Sequence, residues 1–450
     1  MMKTLYQLFL GNIRENQLIE AGDTIILGFS GGKDSVTLFH LLKELRKDIS
    51  FHLIAAYFNH RMRTDAMGEE EWVRNFCAAQ GVELVTGSRD VIAFRKEAGL
   101  NLEHAASLSR YRFFQRVASK YKNAKTATAH TRSDLTETFF IKLFRGSGLQ
   151  GLSAVFHKKE NTIIRPLLLF SQEEILAFLE RNEIEFYEDY TNRQEDFLRN
   201  RIRLRLVPEI EKIEPQINRH VFRTVSIIQE EYDYFSGLAL EVLAKELILG
   251  RVLPAAILKN YHLAVQRHIV REYIRLLKGD LLDIGFDHIE AVRTGHAEMR
   301  GLAIPGIELT FHKGFIFPRD FFIPPYNYQM AGPGILEIAE IGKKLVIKKT
   351  GVYKKPKDNN QVVIPGELVV FPLTVRSPVK GDKYIKINTE IRQKVFEMIR
   401  ASGIPSELRN LCPVVVNGDG EIMWVLGSPV AEVFKVKDSP HKEYLTFLLA

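Results

Sequence analysis

Apolar and polar positions change rhythm several times along the chain. "TIILGF" (24–29) and "FHLIAAYF" (51–58) are continuous apolar runs, the pattern of strands buried on both faces. "VELVTG" (82–87), "AKTATAH" (124–130) and "TIIRPLL" (162–168) read as three further strands. Between them the period lengthens to that of amphipathic helices: from Asp34 to Lys47, around "EEEWVRNFCAAQG", over 102–121, and over "DLTETFFIKLF". Strands alternating with helices predict an α/β domain with a parallel sheet and helices on both faces.

From about Ile217 to Lys278 the period is helical throughout, with few glycines. "GIELTFHKGFIFPRDFFIPPYNYQMAGPG" then turns to short strands punctuated by Pro and Gly, and "VIPGELVVFPLTVRSPVKGD" (363–382) onward reads as a separate small domain of strands with one or two helices. The organisation predicted is a nucleotide-binding domain over 1–215, a mainly helical domain over 216–325 and a small α+β domain over 335–450. The Pro/Gly-rich stretch 324–334 is the linker candidate.

Composition changes this little. Of 450 residues, 46% are hydrophobic and 26% charged, ordinary for a soluble globular protein. A formal charge of +7 gives a mild preference for an anionic partner. Cys77 and Cys412 make neither a disulfide framework nor zinc-ligand spacing and read as buried small hydrophobes. The opening "MMKTLYQLFLGNIREN" is too short and too soon charged for a secretory signal, and no segment is apolar enough to span a membrane, so a cytoplasmic location is expected.

The chemistry concentrates in "GFSGGKDS" (28–35), between the first strand and the first long helix. It is not a Walker A loop, because Lys33 is followed by Asp34 and a glycine is lacking five residues before Gly32. Nor is it GxGxxG. What remains is S-G-G-x-D-S. Gly31 and Gly32 let backbone approach an anion, Ser30 and Ser35 add hydroxyls, and the helix start aims amides at the same point. Asp34 beside a polyphosphate holds a cation or polarises a nucleophile; otherwise it caps the helix.

This stretch resembles the PP-loop of the ATP pyrophosphatases, which cleave ATP between its α- and β-phosphates and adenylate a substrate. "YFNHRMR" (57–63), "SRYRFF" (109–114), "TAHTRSDLTETFFIKLFRGSGLQGL" (128–152) and "YEDYTNRQEDFLRNRIRLRLVPEI" (187–210) narrow the resemblance to the tRNA(Ile)-lysidine synthetase family. "VRSPVKGD" (375–382) and "SGIPSELRNLCPVVVNGDGEIMWVLG" (402–427) are similar to that family's C-terminal domain. The resemblance implies ATP-dependent joining of free L-lysine to C2 of the wobble cytidine of a CAU-anticodon isoleucine tRNA. An adenylated cytidine is the intermediate, AMP and pyrophosphate are products, and codon reading moves from AUG to AUA.

It also implies roles. Ser30, Gly31, Gly32, Lys33, Asp34 and Ser35 hold ATP, with Lys33 adding a charge near pyrophosphate or facing solvent. Asp34 and Asp134 ligate magnesium, and Glu137 binds the incoming ammonium. Arg110 serves the activated base and phosphate; Arg112 belongs there or on a solvated helix face. His130 orients a phosphate or is a satisfied histidine at a strand end. Thr131, Ser133 and Leu135 depart from the family's H-H-x-D-D-Q-x-E-T, while His130, Asp134 and Glu137 fall at i, i+4, i+7 on one helix face. Making the lysine amine neutral at pH 7 costs roughly 4.6 kcal/mol. Asp34, Asp134 and Glu137 are all candidates to take that proton.

Three basic clusters suit a tRNA partner: Arg199, Arg201, Arg203 and Arg205; the stripe Arg267, Arg271 and Arg275; and "KKLVIKKTGVYKKPK". The alternatives are another PP-loop tRNA-modifying enzyme or a non-catalytic tRNA binder. A thiolase would need catalytic cysteines, which two isolated ones do not supply. The sequence leaves the oligomeric state open, a homodimer included.

Overall fold

The computed structural model describes residues 4–61, 66–153, 155–159, 162–187, 198–295, 301–356, 358–437 and 443–449. Parts of "YFNHRMR" and of "YEDYTNRQEDFLRN" lie outside them. The chain divides into two compact units, Met1–Asp233 and Tyr234–Ala450.

The first unit runs α1 (Leu5–Glu15), β1 (Thr24–Gly28), α2 (Lys33–Leu45), β2 (His52–Asn59), α3 (Ala66–Gln80), β3 (Glu83–Ser88), α4 (Val91–Ala98), α5 (Leu102–Ala118), β4 (Ala124–Ala127), α6 (Arg132–Phe144), α7 (Leu149–Leu152), β5 (Lys158–Lys159), β6 (Ile163–Ile164) and α8 (Gln172–Arg181). Then α9 (Leu198–Arg201) continues through a π-helical turn, Ile202–Leu206, into α10 (Val207–Ile213). α11 (Ile217–Glu246) contains the boundary between the units.

The sheet order is β3-β2-β1-β4-β6-β5. All neighbours are parallel except β5, whose antiparallel pairing with β6 closes one edge. β2 shows why its sequence lacks alternation. Leu53, Ala55 and Tyr57 enter one core with α1, α2, α3 and α8, while Ile54, Ala56 and Phe58 enter another under α5. Side chains alternate between faces, and both faces are covered.

The helical stretch expected over 217–278 is interrupted. Residues 247–262 leave α11, place β7 (Leu253–Pro254) at a sheet edge, and re-enter α12 (Leu263–Lys278). Leu249 and Gly250, both with positive φ, turn the chain after α11, and Pro254 has no amide to resume a helix. α13 (Phe286–Thr294) follows, then β8 (Leu302–Ile304), β9 (Ile307–His312) and β10 (Phe315–Pro318), in the sheet order β7-β10-β9-β8. Beyond these, two four-stranded sheets and a short α-helix, Val395–Ala401, share one core around Trp424 and Phe447. Within 324–334, Asn327–Met330 pairs with Leu373–Arg376, and Tyr326 and Met330 are buried. Among the described residues no helix is long and apolar enough to cross a membrane.

Candidate active site

The glycine-rich turn sits at the C-terminal end of β1, a place where open parallel sheets put ligands. Gly31 has φ +77°, and a Cβ there would meet Trp72 and Val73 at 3.2–3.3 Å, so the turn demands glycine twice over. At Gly28 a Cβ would strike the Phe114 ring at 2.8 Å, which lets α5 lie close against β1. Gly32 forms the N-cap of α2 without a side-chain cap. Ser30 and Ser35 bridge the loop at 3.2 Å between hydroxyl oxygens, and Ser35 Oγ donates to the Gly32 carbonyl at 2.9 Å. The Tyr187 amide donates to the Gly31 carbonyl at 2.9 Å, which pins the turn from outside.

Asp34, on the first turn of α2, faces Asp134 on the first turn of α6 through two intermediaries. Gln172 Nε2 donates to Asp34 Oδ1 at 3.2 Å and to Thr131 Oγ1 at 3.1 Å. Thr131 in turn donates from its hydroxyl, at 3.0 Å, and from its amide, at 2.8 Å, to Asp134 Oδ2. Burial and the charge of Asp134 push the Asp34 carboxyl up to about 6, against the opposing pull of Lys33, Gln172 and Arg203. Burial would also raise Asp134, but Arg199, with His130, the Thr131 amide and Arg203, holds it below the usual carboxylate range. The two acids are driven apart: one is poised to carry a proton near neutrality, and the other stays ionised.

Glu137, 2% exposed, completes the acidic group. Arg199 reaches Glu137 Oε2 at 2.7 Å and Asp134 Oδ1 at 2.8 Å; Arg203 reaches Glu137 Oε1 at 2.5 Å and Asp134 Oδ1 at 3.3 Å. Two guanidinium groups thus clamp two carboxylates. The sequence placed Arg199 and Arg203 in a spread tRNA grip; the fold brings both into the acidic centre, while Arg201 and Arg205 are exposed. The helical register accounts for this, since Arg199 and Arg203 are four residues apart and share a face.

His130 bonds Thr128 Oγ1 through Nδ1 at 2.9 Å, and burial among Arg165, Arg110 and Arg199 keeps it neutral, well below the imidazole range, despite Asp134. Burial also lowers Arg110, whose charge is felt by His60 and His130 and which itself feels Asp134 and Arg199. Arg110 thus lies within electrostatic reach of this centre. Lys33 is half-buried next to Asp34.

Gln172 was not legible as a site residue, since a lone glutamine opening a helix carries no signal. Thr131, one of the residues that depart from the family wording, is fully buried and orients Asp134. Arg267, Arg271 and Arg275 lie on α12 in the second unit. Arg267 pairs with Glu290 at 2.8 Å and Arg275 with the buried Glu272 at 3.0 Å. Cys77 and Cys412 are buried free thiols, pushed up by burial to about 11 and about 12.

Residues 5–210 match the PP-loop domain family. The chain is also similar, over nearly its whole length, to proteins named tRNA(Ile)-lysidine synthase. Identity is 27% to that of Clostridium tetani, across 96% of each chain. It is 29% to that of Geobacillus kaustophilus, across 92% of this chain and 93% of the other, and 28% to that of Bacillus subtilis, across 92% of each.

Proposed function

We propose that this chain, a member of the PP-loop family related over nearly its whole length to the tRNA(Ile)-lysidine synthases, is an ATP-dependent ligase that forms lysidine on tRNA(Ile). The observation that carries the reading is the convergence of Asp34, at the end of the phosphate loop, with Asp134 and Glu137 in one buried cluster.

In this reading the Gly31–Gly32 backbone and the Ser30 and Ser35 hydroxyls hold the ATP phosphates, with Lys33 beside them. The wobble cytidine O2 attacks the α-phosphorus, the bond from the α-phosphorus to the α,β-bridging oxygen breaks, and the β- and γ-phosphates leave as pyrophosphate. The lysine ε-amine then attacks C2, AMP leaves with the oxygen, and one ammonium proton passes to a carboxylate. With no cation on it, Asp34 suits that transfer, because burial and Asp134 push its carboxyl up to about 6 whereas Asp134 is held low. Glu137 receives the ammonium, in exchange for an arginine of its clamp. Arg110 faces the activated base and phosphate, and His130, neutral, orients a phosphate oxygen.

A divalent cation fits the donor set. Gln172 Oε1 is buried without a hydrogen-bond partner, and the same amide reaches Asp34, whose carboxylate is repelled by that of Asp134, so oxygen donors of the kind magnesium takes are present. Asp34 and Asp134 would hold it, and it would supply charge neutralisation at the phosphates. In the same proposal the segments 216–325 and 335–450 carry tRNA contacts, with Arg267, Arg271 and Arg275 among them.

The test is nucleoside analysis of CAU-anticodon tRNA(Ile) after incubation with the protein, ATP, magnesium and L-lysine. Lysidine replacing the wobble cytidine is expected. Unmodified cytidine, or a sulfur-bearing base, would overturn the reading.

A further inference from the structure

A basic cavity lies in the first unit, apart from the phosphate loop. It has a volume of about 620 Å³, and its lining includes Phe58 at the end of β2, Ser88 and Arg89 at the end of β3, and Ser109, Arg112 and Arg116 on α5. None of the residues 28–35, 130–137 or 199–203 contributes to it. On α5 the three fall at i, i+3 and i+7, so one helical face supplies one wall. That face lies beside the one that buries Phe113, Phe114 and Val117 against the sheet.

Three features make this a binding site for an anion. Three arginines converge on it and no carboxylate is among the lining residues. Arg89 and Arg112 both approach the Phe94 ring: the Arg89 guanidinium carbon stands 3.5 Å from its centroid and that of Arg112 stands 5.9 Å from it. Like charges gathered this way repel unless a counter-charge sits between them. Ser109 is 3% exposed, and its Oγ is buried with no hydrogen-bond partner, a polar group that costs free energy until something pairs it. The volume accommodates a ribose phosphate rather than a bare ion.

We infer that this cavity binds a backbone phosphodiester of the RNA substrate, with Arg89, Arg112 and Arg116 neutralising the phosphate. The inference rests on the tRNA reading above for the identity of the anion. Arg112 and Arg116 are both exposed, as a contact to an approaching strand requires, and no residue of the phosphate loop lines the cavity. A phosphate contact here fixes where the strand lies without reading sequence.

The experiment is the double variant Arg112→Gln/Arg116→Gln in the full chain, titrated with an unmodified tRNA(Ile) transcript over a series of salt concentrations and, separately, with CMP. Both side chains are exposed, so the fold is preserved. The dissociation constant for the transcript is expected to rise about tenfold, and the slope of log affinity against log salt to fall by about 1.4, with ATP binding unchanged. An unchanged constant and slope would overturn the inference. So would a variant that loses CMP but keeps the transcript, since the site would then take a free nucleotide. A wild-type protein that binds the transcript through this cavity yet makes no lysidine would refute the proposed activity and leave the cavity's role standing.

Discussion

Arg199 Nε stands 2.7 Å from Glu137 Oε2, and Glu137 is almost wholly buried. The carboxylate survives without water only because this guanidinium and that of Arg203 replace its hydration. Removing one partner of such a group strands the other's charge. Arg199→Ala is therefore expected to destabilise the protein by about 3 kcal/mol. Urea unfolding measures this; a change within about 0.5 kcal/mol of wild type would show that the clamp carries little of the fold's stability.

Asp34 gives a pH signature of the opposite sign to an ordinary salt-bridged acid. Its carboxyl lies above the unfolded value, at about 6, so the folded state holds the proton more tightly than the unfolded chain. Stability contributed by the neutral form is present below about pH 4 and is lost as pH rises to about 6. Asp34→Asn removes the titration. The variant is expected to gain about 2 kcal/mol on wild type between pH 4 and pH 7, read as the difference between two denaturation series. A difference that stays flat with pH would contradict the placement of Asp34 beside Asp134.

The α12 arginines are expected to act on RNA, and Arg275 also on stability, since it pairs with the buried Glu272 at 3.0 Å. Arg271→Gln with Arg275→Gln should weaken binding of the tRNA(Ile) transcript and lower its salt slope by about 1.4, while ATP affinity is unchanged. Filter binding at several salt concentrations checks this. An unaltered slope would remove the stripe from the interface.

Local features of the fold were legible and distant pairings were not. β1, the S-G-G-x-D-S turn and α2 are contiguous, so their spacing alone conveys strand, loop and helix. Cys77 and Cys412 also read correctly as buried hydrophobes. By contrast, Arg199 and Arg203 look in sequence like any other basic run. Only the fold, across 62 and 66 residues, carries them to Glu137. Gln172, 138 residues from Asp34, gave no signal for the same reason. Arg112 left two readings open because helical spacing does not say whether a face meets solvent or a cavity wall. The break at 247–262 was missed because the flanking helices are strongly periodic, and a two-residue strand leaves almost no pattern.

The roles assigned to Asp34 and Asp134 separate chemistry from binding. Asp34→Ala or Asp134→Ala is expected to lower lysidine formation by at least about a hundredfold while the transcript still binds. Near-normal turnover in both variants would contradict the assignment.

The most direct test of the whole account follows the phosphates of ATP. With ATP labelled at the α-phosphate, tRNA(Ile) and L-lysine, labelled AMP should appear in step with lysidine, and its release should depend on both co-substrates. Labelled ADP as the product, or no release from the wild-type protein, would contradict it.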